Sequence, residues 1–319
     1  MTKSNAVLSP FKKISLKGRD VLTWLDYTTE EVHELLSLAE HLKKNPVTKQ
    51  LEGKTLGMIF EKSSTRTRVS FEAGMLQMGG HAIYLNSRDI QLGRGESIAD
   101  TAKVLSSYLD AIMIRTFEHE KVAELAEHAS VPVINGLCDT YHPCQALADV
   151  LTIYELKGQL AGLKVVYIGD GNNVAHSFMI LCAKLGMDVV VSCPKGYEPS
   201  QAIIDATVEL AQHSSGSFTL TYDPVEAAAG ADIVYTDVWA SMGQEEETDE
   251  RLQVFEPYQV NEELLSYSSD DVKFLHCLPA HRGEEVTAEV IDGGKSAVFQ
   301  QAENRLHVQK AILLSVLAG

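Results

Sequence analysis

The stretch Thr55-Leu56-Gly57-Met58-Ile59-Phe60-Glu61-Lys62-Ser63-Ser64-Thr65-Arg66-Thr67-Arg68-Val69 decides how the chain is read. An apolar run, Thr55 to Phe60, leads into a polar segment. Val69, Phe71, Met75 and Leu76 follow at helical spacing. That order predicts strand, short turn and helix. Ser64-Thr65-Arg66-Thr67-Arg68 then occupies the first helical turn, where backbone N–H groups lack intrahelical partners and the helix dipole favours an anion. Arginine adds a planar fork matched to phosphate oxygens, and the hydroxyls add neutral donors. The segment reads as a site for a phosphorylated or carboxylated small molecule. Its plainer alternative is an ordinary N-cap followed by a solvated basic turn.

The same alternation continues outward. Strand-like runs at 54–60, 81–85, 111–117 and 132–137 are separated by helical patterns at 66–78, 97–108 and 118–128. Thr28 and Glu31 have capping-box spacing before an apolar stripe of Val32, Leu35, Leu36, Ala39 and Leu42, which predicts a helix over 29–44. Residues 86–96, polar and containing Gly93 and Gly95, read as a long loop, and long loops in compact domains are often functional. A helix over 146–154 leaves this first series. A second series has strands at 164–170, 188–193, 218–222, 232–238 and 272–278, with helices including 200–212 and 224–229. A final helix over 303–317 packs on a domain. Alternating strand and helix means parallel sheets covered by helices, an α/β fold.

The 319 residues suit two domains of about 150 each. Apolar content of 45% and charged content of 22% are ordinary for a globular chain. No uninterrupted apolar run approaches the ~20 residues needed to span a bilayer. The first twenty residues carry Lys3, Lys12, Lys13, Lys17 and Arg19 without an apolar h-region, so a cytoplasmic protein is expected. The net charge of −17 argues against a nucleic-acid partner or an anionic membrane surface. It leaves room for a small anionic substrate, because a few local arginines set that field. Cys138, Cys144, Cys182, Cys193 and Cys277 are odd in number and scattered, which fits reduced thiols better than a disulfide framework.

Several further segments bring chemistry to strand ends. Gly169-Asp170-Gly171-Asn172-Asn173 has Val174 where the dinucleotide fingerprint wants glycine, so nicotinamide binding is disfavoured. Its asparagines can offer amides to a polar ligand, or Asn172 can simply serve turn chemistry. Arg115 closes an apolar run, at the strand edge where open α/β sheets bind ligands, and reads as a ligand contact in preference to a structural ion pair. His142-Pro143-Cys144-Gln145 precedes a helix. The imidazole and Gln145 can face an oxygen there, or His142 can be a capping or buried residue. A metal set of His142, Cys144, His276 and Cys277 lacks zinc spacing, and no metal is expected. Asp237-Val238-Trp239-Ala240-Ser241-Met242-Gly243 and His276-Cys277-Leu278-Pro279 end strands of the second series. Asp237 can hold a substrate ammonium. Cys277 can be a nucleophile, a hydrogen-bond partner or merely buried, and a nearby Asp237 would oppose a thiolate. The run Glu245-Glu246-Glu247, with Asp249, Glu250 and Arg251 beyond, reads as a solvated loop or, functionally, a lid.

Taken together, Ser-Thr-Arg-Thr-Arg, His-Pro-x-Gln, Asp-x-x-x-Ser-Met-Gly and His-Cys-Leu-Pro resemble the transcarbamoylase family, in its ornithine-type form, over nearly the whole chain. The resemblance implies a carbamoyl-phosphate-binding domain at 1–148 plus 303–319, an ornithine-binding domain at 149–302, and a C-terminal helix returning to the first domain. Carried over residue by residue, Ser64, Thr65, Arg66, Thr67, Arg115, His142, Pro143, Cys144 and Gln145 would contact carbamoyl phosphate. Cys277, Leu278 and Arg305 would join them. Gln91 would be presented to a neighbouring subunit's site. Cys144 stands where threonine is usual, so it carries no side-chain role. Asn173, Asp237, Ser241 and Met242 would hold ornithine. Arg66, Arg115, His142, Asp237 and Cys277 would be catalytic. The implied reaction forms citrulline and phosphate in a homotrimer or an assembly of trimers, with no cofactor. Competing readings are an acceptor such as aspartate, putrescine or an acylated ornithine, and a non-catalytic sensor on the same fold. Aspartate is disfavoured because Asp237 would repel its second carboxylate.

Overall fold

The computed structural model describes residues 16–240 and 248–318. The described residues divide into two compact units, one within 152–302 and the other formed by those up to Leu151 together with those from Glu303 onward.

The N-terminal unit begins with helix α1 (Thr29–Lys44), closed at its start by a complete capping box between Thr28 and Glu31. Val32, Leu35, Leu36, Ala39 and Leu42 are all buried on one side of it. Burying each of the valine and leucine side chains contributes about 1.5–3 kcal/mol, and the Ala39 methyl about 0.8 kcal/mol. There follow β1 (Thr55–Phe60), α2 (Thr65–Gln77), β2 (His81–Asn86), α3 (Ile98–Ser106), β3 (Ala111–Arg115), α4 (His119–His128), β4 (Val133–Leu137) and α5 (Pro143–Lys157). The strands form one parallel sheet in the order β2-β1-β3-β4. The chain leaves β1 to one side for β2 and to the other for β3, so the strand order reverses beside β1. Ligands of open α/β sheets bind at the carboxyl edge of such a switch point. Residues 86–96, expected as a long loop, contain a 3-10 turn at Gln91–Arg94.

The second unit repeats the plan with β5 (Lys164–Ile168), α6 (Asn173–Lys184), β6 (Asp188–Ser192), α7 (Gln201–Ser214), β7 (Ser217–Thr221), α8 (Pro224–Ala228) and β8 (Ile233–Thr236). It continues through α9 (Thr248–Phe255), α10 (Glu262–Ser266), β9 (Lys273–His276) and α11 (Ala288–Ile291). Its sheet is also parallel, ordered β7-β6-β5-β8-β9, with the reversal beside β5. One core cluster there joins Val166, Ile168 and Val234 of the strands to Leu264, Leu265, Val290 and Ile291 of the covering helices.

The last helix, α12 (Val298–Leu317), starts five residues before the expected position. From Glu303 onward it belongs to the N-terminal unit. Its Lys310 is buried; Nζ donates to Gln77 Oε1 at 3.0 Å and also to the Pro46 carbonyl. Beneath it lies Gly74, where a Cβ would come within 3.1 Å of Lys310 Cγ. Lys43 Nζ reaches Asn304 Oδ1 at 2.8 Å. Among the described residues, no helix is long and apolar enough to cross a membrane.

Candidate active site

Ser64 caps α2: its backbone is extended and its hydroxyl accepts from Thr67 N. Ser64 is therefore the N-cap of this helix, and the basic side chains follow in its first turn. Arg68 points away from it, bonding Glu72 Oε1 through Nε at 3.0 Å with its guanidinium 3.8 Å from the Tyr84 ring centroid. Arg66 stays half-buried, and Thr65 is exposed. Thr67 is buried, and its hydroxyl accepts from Arg305 NH2 at 3.1 Å. The same guanidinium donates through NH1 to Gln145 Oε1 at 2.6 Å. Gln145 Nε2 in turn donates to Asp149 Oδ1 at 2.8 Å. One arginine thus ties the first turn of α2 to the first turn of α5.

Arg115, at the end of β3, is only 5% exposed. Its carbonyl accepts from Glu61 N at 2.8 Å, which binds the ends of β1 and β3 together at the switch point. His142 lies just before α5 and is buried. Pro143 supplies the first helical residue, and its carbonyl accepts from Trp24 Nε1 at 2.8 Å. Burial, then the positive charges of Arg305, Arg115 and Arg66, hold His142 well below the usual imidazole range. It is a neutral hydrogen-bonding group surrounded by cations. Cys144 is fully buried with its thiol pushed up to about 11 by burial, and it lies 3.6 Å from the Asn135 carbonyl, so it serves packing. Gln91 is exposed on the 3-10 turn.

The neutral state of His142 has a measurable consequence. An unfolded chain would protonate it near its ordinary value of about 6.5. The folded chain takes up that proton only at lower pH, so stability falls as pH drops below that value and is unaffected by this group above it. Ring resonances of His142 should stay unchanged by NMR from about pH 8 to about pH 6. A transition centred near its ordinary value would contradict the cationic surroundings.

In the second unit, Asp237 follows β8 and is buried. Its Oδ1 accepts from Cys277 Sγ at 2.9 Å and from Val238 N at 2.8 Å, and Oδ2 accepts from Asn172 Nδ2 at 3.0 Å. Cys277, just beyond β9, donates its proton, so it is a thiol in this arrangement. The other four cysteines are buried. Asn172 is neither a left-handed turn residue nor a free amide. It caps α6 through Oδ1, which accepts from Val174 N and Ala175 N, and so aims its amide nitrogen at Asp237. Tyr167, buried and held protonated by burial and then by Asp237, donates to the same oxygen at 3.2 Å. The signal for Asn172 was available in asparagine's preference for N-caps. That for Tyr167 was not. Asn173 begins α6, half-buried. Leu278 follows Cys277 with φ +57°. Ser241 and Met242 lie outside the described residues, as does the Glu245–Glu247 run.

Two surroundings differ from expectation. Arg251 is buried inside α9 rather than solvated: NH1 bonds Asp170 Oδ2 at 2.9 Å and the Trp239 carbonyl at 2.8 Å. Gly171 admits a close backbone neighbour instead of a phosphate, since a Cβ there would lie 2.2 Å from Pro199 N. Asp237, His276 and Cys277 offer ligand atoms within 4.8 Å of one another. Each is already engaged: Cys277 donates to Asp237, and His276 Nδ1 accepts from Leu278 N at 2.8 Å.

Two parallel α/β units, each presenting polar side chains at the carboxyl edge of its switch point, define an open-sheet α/β protein of the ligand-handling kind. The family models narrow this. The carbamoyl-P binding domain of the aspartate/ornithine carbamoyltransferases matches residues 19–155, and their Asp/Orn binding domain matches residues 161–316. The chain belongs to the aspartate/ornithine carbamoyltransferase family. It is 64% identical over 303 residues to the ornithine carbamoyltransferase of Bacillus subtilis, covering 95% of each chain. To that of Anoxybacillus flavithermus it is 63% identical over 308 residues, 95% of this chain and 98% of the relative. The solved ornithine carbamoyltransferase of Pyrococcus furiosus superposes with a TM-score of 0.93 at 58% identity, covering 96% of this chain and 99% of that one.

Proposed function

We propose that this chain transfers the carbamoyl group of carbamoyl phosphate to the side-chain amine of L-ornithine, giving L-citrulline and phosphate. The observation that carries the reading is Arg305, whose guanidinium joins Thr67 and Gln145 and brings a third arginine to a neutral histidine and a capped helix N-terminus. That is chemistry for a small phosphorylated carbonyl compound. Names shared by relatives above 60% identity support ornithine as the acceptor.

In this reading Ser64, Thr65, Arg66 and Thr67 hold the phosphate, with Arg115, Arg305 and the backbone at Pro143 and Cys144. His142, neutral, donates to the carbonyl oxygen together with Arg66 and Arg115, while Gln145 takes the carbamoyl amide. Ornithine's head group falls to Asn173, Asp237, Ser241 and Met242. Its side-chain amine has a reference pKa of about 10.4, so neutral amine at pH 7 is a minor species. Asp237 and Cys277 orient that amine for attack, and the Leu278 backbone contacts the transferred group. The amine lone pair forms the new C–N bond, negative charge grows on the carbonyl oxygen, and the C–O bond to phosphate breaks. The departing phosphate accepts the amine proton. Preorganised donors at that oxygen are commonly worth about 3 kcal/mol each. Gln91 would reach a neighbouring subunit in a homotrimer, and a cytoplasmic location accompanies the same reading.

Purified protein, without added metal, should convert the two substrates to citrulline and phosphate in equal amounts. Turnover of putrescine, acetylornithine or aspartate in place of ornithine would overturn the acceptor. Calorimetric binding of carbamoyl phosphate with no turnover of any amine would favour a sensor. A solution mass equal to a multiple of three chains is expected.

A further inference from the structure

His276 and Glu285 form a pair with both side chains fully buried, beside Cys277 but making no contact with substrate in the mechanism above. Glu285 Oε1 stands 3.1 Å from His276 Nε2 and accepts the His281 backbone N–H at 2.6 Å. On the other edge of the ring, His276 Nδ1 accepts the Leu278 backbone N–H at 2.8 Å. An amide N–H can only donate, so Nδ1 must carry a lone pair. The ring proton therefore sits on Nε2, directed at Glu285. The carboxylate selects one tautomer, and that tautomer fixes the following turn.

The turn needs fixing. Leu278 has φ +57°, a left-handed conformation that a leucine rarely adopts unless its surroundings hold it there. The anchors are themselves immobilised: His276 N donates to Gln301 Oε1 at 2.9 Å, and the Glu285 carbonyl accepts from Val260 N at 2.9 Å. We propose that His276, oriented by Glu285, is a positioning residue that sets the Leu278 backbone and the Cys277 thiol where ornithine and the transferred group meet them. This rests on the placement of Cys277 and Leu278 given under Proposed function.

Two replacements separate positioning from mere stability, because each keeps one half of the imidazole's bonding. His276→Asn places an amide oxygen near the Nδ1 position, so Leu278 N keeps an acceptor while Glu285 loses its donor. His276→Gln reaches toward Nε2, so Glu285 keeps a donor while Leu278 N loses its acceptor. Thermal midpoints should therefore rank Gln above Asn, and activity should rank Asn above Gln. His276→Gln is expected to lose about 100-fold in kcat/KM for ornithine, the scale of a misplacement near 1 Å, with carbamoyl-phosphate affinity unchanged. His276→Asn should recover most of that loss. Activities that follow the thermal midpoints would overturn the proposal, and so would failure of both variants to fold, which would make His276 a folding residue. Wild-type protein that forms no citrulline would instead overturn the function itself, so the two failures are distinct.

Discussion

Arg66→Ala is expected to lower kcat/KM for carbamoyl phosphate by about 1000-fold, with the melting temperature nearly unchanged. Arg66 lies at the second residue of α2, half-buried, where the helix N-terminus is already favourable to an anion. Its positive charge acts on His142, as do those of Arg305 and Arg115. Removing it takes away a fork that can grip phosphate while also approaching the carbonyl oxygen. Arg66→Lys keeps the charge and loses the fork, so it should fall between wild type and alanine. Steady-state kinetics and calorimetry with carbamoyl phosphate check both variants. Near-normal catalysis in the alanine variant would put the phosphate elsewhere.

Asp237→Ala is expected to lower kcat/KM for ornithine by about 1000-fold while carbamoyl phosphate binds as before. Asp237 gathers Cys277, Val238 N and Asn172 onto one buried carboxylate. Its loss strands those donors and removes the negative charge that would face an ammonium group. Asp237→Asn keeps one acceptor oxygen for Cys277 and Val238 N, loses the charge and turns its other end into a donor facing the Asn172 amide, so it should be intermediate. Ornithine saturation kinetics beside a carbamoyl-phosphate titration separate the two substrates. An equal loss for both would end the assignment of Asp237 to the acceptor.

Legibility in the sequence followed how one-sided each element is. α1 has a clean apolar stripe and a capping box, and its expected limits coincide with those observed. The strands of both sheets were placed to within one or two residues because parallel strands read as short apolar runs. α5 was expected to begin at Ala146 but begins at Pro143. Every residue from 141 to 153 is buried there, and a helix covered all round has no polar face to mark its period. α9 was missed for the opposite reason. It is short and acidic, and its anchor is a buried arginine rather than an apolar stripe.

The candidate site divided the same way. Residues named by motif, such as Arg66, His142 and Asp237, lie at strand ends and helix starts where local patterns point. The hydrogen bonds within each unit's site join positions far apart in the chain: Asn172 to Asp237, Arg305 to Gln145, Glu285 to His276. Single-sequence periodicity carries no record of such pairs. Family resemblance supplied Arg305, but neither source supplied the partners of His276.

Arg305 reaches residues 160 and 238 positions earlier in the chain. A ribosome makes the four strands of the N-terminal sheet first, and that unit can begin to fold while the rest is synthesised. Thr67 and Gln145 must nevertheless wait for the final helix before their shared guanidinium arrives. The nascent first unit is thus a fold before it is a receptor. In the proposed reading, carbamoyl phosphate meets a finished pocket only once α12 has been made, and a chain stopped short of Arg305 would carry the sheet without the grip.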